Sequence, residues 1–240
     1  MDKKFLAILG IIAVIVVGAI WVTNNKKASA PTGNAKPSQH VTGSTSTGVK
    51  LVEYGDYQCP YCGQYYPIVK QVVTEYQNQI QFQFRNLPLV SLHPNAFAAA
   101  RAAEAAGLQN KYWEMHDMLY ENQSAWSDSG SPASIFNEYA KALKLNVNKF
   151  KTDYSSDLVN NTINADLAEF NKTKAEMATP TFFIDGTKIQ PTQSVESFEK
   201  IINEAIKQNG HTPQPVKSSP SSTTTPSPSP ASNTAPQSKQ

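Results

Sequence analysis

Two cysteines stand three positions apart as Cys59-Pro60-Tyr61-Cys62, and the 240-residue chain has no others. A pair at this spacing can close a small disulfide, supply half of a zinc site, or exchange disulfides with another molecule. Pro60 suits the first position of a helix, because the N–H it lacks would have no partner there. Cys59 then sits at the helix N-cap, where free backbone N–H groups and the positive end of the helix dipole favour a thiolate. Such a position brings a thiol from about 8.5 into the range of about 3.5–7.5, so that the reactive form is present at neutral pH. Cys62 lies one turn on, within disulfide reach and more enclosed. The first sulfur attacks or is attacked, and the second resolves the mixed disulfide. Closing so short a loop stabilises a fold little by chain entropy, which favours redox use over a structural staple. A zinc site needs about four ligands, and none of His40, His93, His116 or His211 is spaced like a ligand from the pair. No metal is expected, and no cofactor beyond the Cys59–Cys62 disulfide.

The elements that must position this pair can be read coarsely. Val49–Tyr54 is a short β-like run, and a helix follows from the cysteines to about Glu75. Ile80–Asn86 alternates with period two and predicts a second strand. A long helical stretch comes next. Asn95–Ala106 ends at Gly107, a plausible residue to follow a helix end. Tyr112, Met115, Met118 and Leu119 recur at helical spacing, with Trp113 and His116 on an adjacent stripe that reads as core of this block. His93-Pro94 reads as a cap for its first helix, and Asp56 as structural. Further helices fit Ala133–Leu143, Val147–Ser156 and Leu158–Ala175. Thr181–Ile184 is a strand, Asp185-Gly186 a type I′ hairpin turn, and Lys188 and Ile189 begin the return. A last helix starts after Ser194 and stops before Gly210. The order is βαβ, a helical block over about 91–175, then ββα: an α/β domain with a helical insertion, spanning 49–210.

Its flanks differ in kind. Residues 5–22 are eighteen apolar residues preceded by Lys3 and Lys4. As a helix they would span about 27 Å, close to a bilayer core. Ala28-Ser29-Ala30 is a cleavage-like triplet, but Pro31 after it and the length of the run favour a retained transmembrane anchor with residues 1–4 as a cytoplasmic stub. Residues 23–240 are then expected outside the cytoplasmic membrane. Residues 23–48 read as a flexible linker, and the Pro/Ser/Thr-rich 211–240 as a disordered tail. The chain carries a net charge of +2. Residues 49–210 nevertheless hold fourteen Lys/Arg against eighteen Asp/Glu, which disfavours nucleic-acid binding.

The segment Val52-Glu53-Tyr54-Gly55-Asp56-Tyr57-Gln58-Cys59-Pro60-Tyr61-Cys62 resembles the active-site strand and helix start of the thioredoxin superfamily, in particular its exported DsbA-like thiol–disulfide oxidoreductases. Pro67 falls where such proteins often kink this helix. Thr179-Pro180 before Thr181-Phe182-Phe183-Ile184 resembles the family's cis-proline loop and following strand. Ala98–Gln123 resembles the helical insertion of the DsbA-like branch. The resemblance implies a thioredoxin-like fold over about 49–208, with Cys59 as nucleophile and Cys62 as resolving thiol. It makes Pro180 a cis-proline, although a Thr-Pro bond taken alone is more often trans. Thr179 would offer backbone groups to an extended substrate, with Pro60 and Tyr61 beside it.

The same resemblance puts Glu53 beneath the site as a relay for the resolving thiol's proton. The residues leave a second reading open, a solvent-facing carboxylate. An oxidase is expected. It would donate its disulfide to exported proteins with cysteines and be reoxidised by a quinone-linked membrane partner of the DsbB or vitamin K epoxide reductase type. Tyr61 departs from the histidine of the strongest oxidases, which keeps a reductase or isomerase open. Residues 23–48 are too short and polar for a dimerisation domain, so a monomer is expected. A surface binding module on the same scaffold is the alternative from another class.

Overall fold

In the computed structural model, which describes residues 36–216, the site hangs from the middle of one five-stranded sheet. The strands are β1 (Val41–Gly43), β2 (Lys50–Gly55), β3 (Gln81–Asn86), β4 (Thr181–Ile184) and β5 (Thr187–Ile189). Their order across the sheet is β1-β3-β2-β4-β5. β2 runs parallel to β3 and antiparallel to β4, pairing Glu53 with Phe84 on one side and Phe182 on the other. The parallel pair needs a crossover, and α1 (Pro60–Glu75) supplies it. Between β3 and β4 the chain builds a helical block: α2 (Ala96–Gly107), α3 (Tyr112–Glu121), α4 (Gln123–Trp126), α5 (Pro132–Ala142), α6 (Val147–Tyr154) and α7 (Asp157–Lys172). Then α8 (Val195–Gln208) packs against α1 and closes the domain. This is a thioredoxin-like α/β fold with a helical insertion.

β2 is covered on both faces, as a strand in the middle of such a sheet must be. Leu51 joins the main core beneath α1 and α3, while Val52 and Tyr54 face a smaller cluster with Leu167 and Phe170 of α7. Gly55 ends the strand where no side chain fits. A Cβ there would lie 2.4 Å from Phe84 Cε2 and 2.7 Å from Phe84 Cζ. Gly55→Ala is therefore expected to cost about 1–3 kcal/mol of stability through overpacking. Urea unfolding reads this directly, and an unchanged midpoint would show that Phe84 yields at no cost.

Two flank expectations need correction. Residues 36–48 are not a tether. Val41–Gly43 pair antiparallel with β3, Ser38 is buried, and His40 stacks on Tyr112 at 3.4 Å. The reason is main-chain pairing with an open strand edge, which composition does not report. The domain likewise runs past Gly210. The Gln214 N–H donates to Gln79 Oε1 at 2.6 Å, and Val216 packs on the core. The Asp185-Gly186 turn has positive φ at both residues, 48° and 82°, as a type I′ hairpin requires. No described helix is long and apolar enough to cross a membrane. The apolar run 5–22, the first part of the expected linker and residues 217–240 lie outside the described residues.

Candidate active site

Cys59 is the N-cap of α1, in extended conformation at φ −64° and ψ 123°, with Pro60 in the first helical turn. The loop from β2 to this cap is fastened at several points. Asp56 accepts the Gln58 N–H at 2.8 Å on one carboxylate oxygen. On the other it takes the Leu89 N–H at 2.9 Å and His93 Nδ1 at 2.7 Å. From the insertion, Gln123 donates its side-chain amide to the carbonyls of Tyr57 and Cys59, at 2.8 and 2.9 Å. The loop that carries Cys59 is thus tied by side chains to two distant segments, at Leu89–His93 and at Gln123.

Both cysteines are free thiols, but their surroundings differ. Cys59 is 4 % exposed and Cys62 not at all. The Cys59 thiol is lowered to about 5, chiefly by a hydrogen bond from the Cys62 thiol. Partial burial opposes this; Thr179 and the backbone N–H groups of Cys62 and Tyr61 assist it. The two groups of Thr179 act in opposite senses. Its carbonyl, 3.5 Å from Cys59 Sγ, accepts only from the protonated thiol. Its hydroxyl is buried with no hydrogen-bond partner among the described residues, which leaves it free to donate to a thiolate at Cys59. Cys62 is pushed well above the ordinary thiol range by burial, with the Cys59 and Glu53 charges adding to it. One sulfur is built to be a thiolate and the other to keep its proton.

Thr179-Pro180 is a cis peptide, and it places Thr179 against Cys59. Beside them lies a groove of about 370 Å³ whose lining includes Tyr61, Tyr65, Thr179, Pro180, Ile189 and Pro191. Pro60 is exposed and Tyr61 is 65 % exposed, so both stand at the open face of the site. Glu53 is 3 % exposed and turned inward, not toward solvent. Burial raises its carboxyl to about 8, helped by the charge on Cys59. Cys59, Cys62, Thr179, Pro180, Pro60, Tyr61 and Glu53 therefore come together around one helix start.

Other residues matter more than, or differently from, what their sequence context shows. His93 does not cap the insertion with its side chain. Asn95 holds the N-cap, and the His93 ring binds Asp56. Gln123 and Asp56 organise the loop, yet nothing in their neighbours marks them. Trp113 and His116 belong to an aromatic group with Phe82, Phe84, Tyr112 and Tyr120, with His116 T-shaped against Phe84 at 4.7 Å. No grouping of His, Cys, Asp or Glu among the described residues could hold a metal ion.

What the arrangement can do is exchange disulfides: a thiol poised to ionise, an enclosed partner thiol, a groove and a buried acid. Comparison with known proteins points the same way. A family model described as thioredoxin matches residues 35–204. The Na(+)/H(+) antiporter NhaA 1 of Salinispora arenicola is 36 % identical over 172 residues, 70 % of this chain and 24 % of that protein. The chain thus spans about a quarter of the length of such relatives. A probable disulfide bond formation protein D of Bacillus cereus is 28 % identical over 220 residues, covering 86 % of this chain and 100 % of that one. The crystal structure of oxidised BdbD from Bacillus subtilis superposes with a TM-score of 0.62 at 22 % identity, over 72 % of this chain and 97 % of that chain. That likeness shows the fold. The matched span takes in the sheet, the insertion, both cysteines and the cis-proline loop, and so the chain belongs to the thioredoxin family.

Proposed function

We propose that this chain is a thiol–disulfide oxidoreductase that works as an oxidase outside the cytoplasmic membrane, giving its Cys59–Cys62 disulfide to exported proteins that carry cysteines. The observation that carries the direction is the lowered thiol of Cys59, at about 5. A stabilised thiolate stabilises the reduced pair, and a pair that is stable when reduced is a strong oxidant when it is a disulfide.

The steps follow from the two environments. A substrate thiolate attacks Cys59 Sγ, the bond to Cys62 breaks, and Cys62 leaves with the electron pair and takes up a proton. Glu53, buried nearby and raised to about 8, supplies it. A second substrate thiolate then attacks the substrate sulfur of the mixed disulfide, and Cys59 leaves as a thiolate. The substrate dithiol has lost two electrons and the cysteine pair has gained them. Thr179 and its neighbours receive the substrate as an extended strand. Reoxidation falls to a quinone-linked membrane thiol oxidase of the DsbB or vitamin K epoxide reductase type. The apolar run 5–22 after Lys3 and Lys4 supports a membrane anchor that keeps the two together.

The equilibrium potential of the pair, titrated against glutathione, tests this. A value between about −120 and −180 mV is expected. A value near about −270 mV or below would make the pair a reductase or an inert disulfide, and the oxidase proposal would fall.

A further inference from the structure

A second cavity, of about 200 Å³, lies between α1, α3 and the β1–β3 side of the sheet, and shares no lining residue with the groove at Thr179. Its walls include the rings of Tyr66, Phe82, Trp113 and Tyr120, and Glu53 lines it as well. Lys70, Thr74 and Asp117, all at least partly exposed, mark its mouth. A cavity of about 150 Å³ lined by apolar side chains already holds a benzene ring.

The cavity pairs an unmet acceptor with aromatic faces. Burial and the Cys59 charge act on the Glu53 carboxyl, and no hydrogen bond offsets them. The buried Tyr120 hydroxyl also has no partner among the described residues. No cation among the described residues answers Glu53. Lys70 is held at the mouth by Asp117 and Glu121, each at 2.9 Å. His116 is lowered to about 3 by burial, with the Lys70 and His40 charges adding to it, and its Nδ1 is engaged with the Tyr57 hydroxyl at 3.0 Å. Aromatic faces attract cations, more strongly where water is excluded. A buried carboxylate needs a charge-assisted donor.

We propose that this cavity binds a compact, flat organic cation of the amidinium or small ammonium class, its N–H groups donating to Glu53 and its body packed among Phe82, Trp113 and Tyr120. The site stands on geometry alone; only its consequence for exchange rests on the role proposed for Glu53. Binding draws Glu53 into the carboxylate form and releases its proton. A Glu53 held as carboxylate cannot hand a proton to Cys62, so the cation restrains exchange from behind the cysteines without touching their open face.

Benzamidinium chloride is the probe and uncharged benzamide the control of the same shape, titrated calorimetrically into the reduced full chain. Saturable one-to-one binding is expected, with benzamide at least about tenfold weaker, the least that a lost charge-assisted bond costs. Glu53→Gln should lose a similar factor. Affinity should rise about tenfold from pH 6 to pH 7, following the ionised fraction of a carboxyl at about 8. The groups that face Glu53 do not blur this window. Lys70, Tyr57, Tyr66, Tyr120 and Cys62 are pushed up, Cys59 lies at about 5 and His116 at about 3. Val73→Trp, at a lining position on α1, should exclude the probe and leave Cys59 reactive. No saturable binding, equal binding of benzamide, parental binding by Glu53→Gln or an indifferent Val73→Trp would each overturn the site. Exchange by Cys59, followed in the same samples, keeps the two ideas apart. Exchange by the probe-free chain without any binding sinks the cation site alone, and binding by a chain that does not exchange even before the probe is added sinks the proposed function alone.

Discussion

Cys59→Ser is expected to abolish oxidation of a dithiol peptide, with the rate falling at least about a thousandfold to the uncatalysed background. Serine offers no sulfur to attack, and the remaining thiol cannot substitute. Cys62 is wholly buried and pushed well above the ordinary thiol range, so its thiolate is scarce at neutral pH and out of reach. Cys62→Ser should behave in the opposite way. It keeps the Cys59 sulfur at the helix start but removes the resolving thiol, so mixed disulfides with substrate proteins should accumulate and survive non-reducing electrophoresis. Cys59→Ser should trap none. The pair of variants also separates catalysis from mere binding. If the scaffold only held a partner, the Cys59→Ser chain would restore a deletion strain as well as the parent does. An oxidoreductase with that substitution would not.

That Cys59 caps α1, the ground for proposing it as the reactive sulfur, follows from the chain itself, because the cause is local. Pro60 starts the helix, the helix start carries unpaired N–H groups, and the residue before it meets them. The Asp185-Gly186 hairpin and α8, with its Ser194 cap and apolar face, are legible for the same reason. Glu53 is not. Alternation puts Leu51, Glu53 and Gly55 on one face of β2, but β2 is covered on both faces, so alternation cannot say which environment each face meets. The helices α1 and α3, brought over from distant sequence, decide that Glu53 points into a cavity. Asp56 and Gln123 carry no local mark of their roles because their partners are backbone groups of remote segments, Leu89, Tyr57 and Cys59. Strand β1 carries none because its pairing is main chain to main chain, with Val41 itself 41 % exposed.

Glu53→Gln is expected to stabilise the protein while slowing it. The unfolded carboxyl titrates near its ordinary value of 4.5, and the folded one at about 8. Between those values the native state binds the proton and the unfolded state does not, so stability falls as pH rises through this window. At about 1.36 kcal/mol per pH unit, the loss reaches about 3 kcal/mol at pH 7 and about 4–5 kcal/mol, as an upper bound, above pH 8. Glutamine has the shape of the neutral acid and no proton to lose, so its variant escapes this loss. The urea midpoints of parent and variant should therefore nearly coincide at pH 4 and diverge steadily to pH 8. Part of the raised value comes from the Cys59 charge, which disappears in the disulfide form, so the divergence should be smaller for oxidised protein. A gain that is flat with pH would mean that the Glu53 carboxyl titrates alike in the folded and unfolded states, and the relay would lose its footing. The kinetic cost has the same origin. Cys62 must gain a proton as it leaves, and without Glu53 that proton comes from water that barely reaches it, so exchange at pH 7 should slow by about a hundredfold, the low end of general acid–base catalysis. A residue that weakens the fold at neutral pH is thus the one whose proton the exchange uses, and stability and rate should move in opposite directions in a single variant.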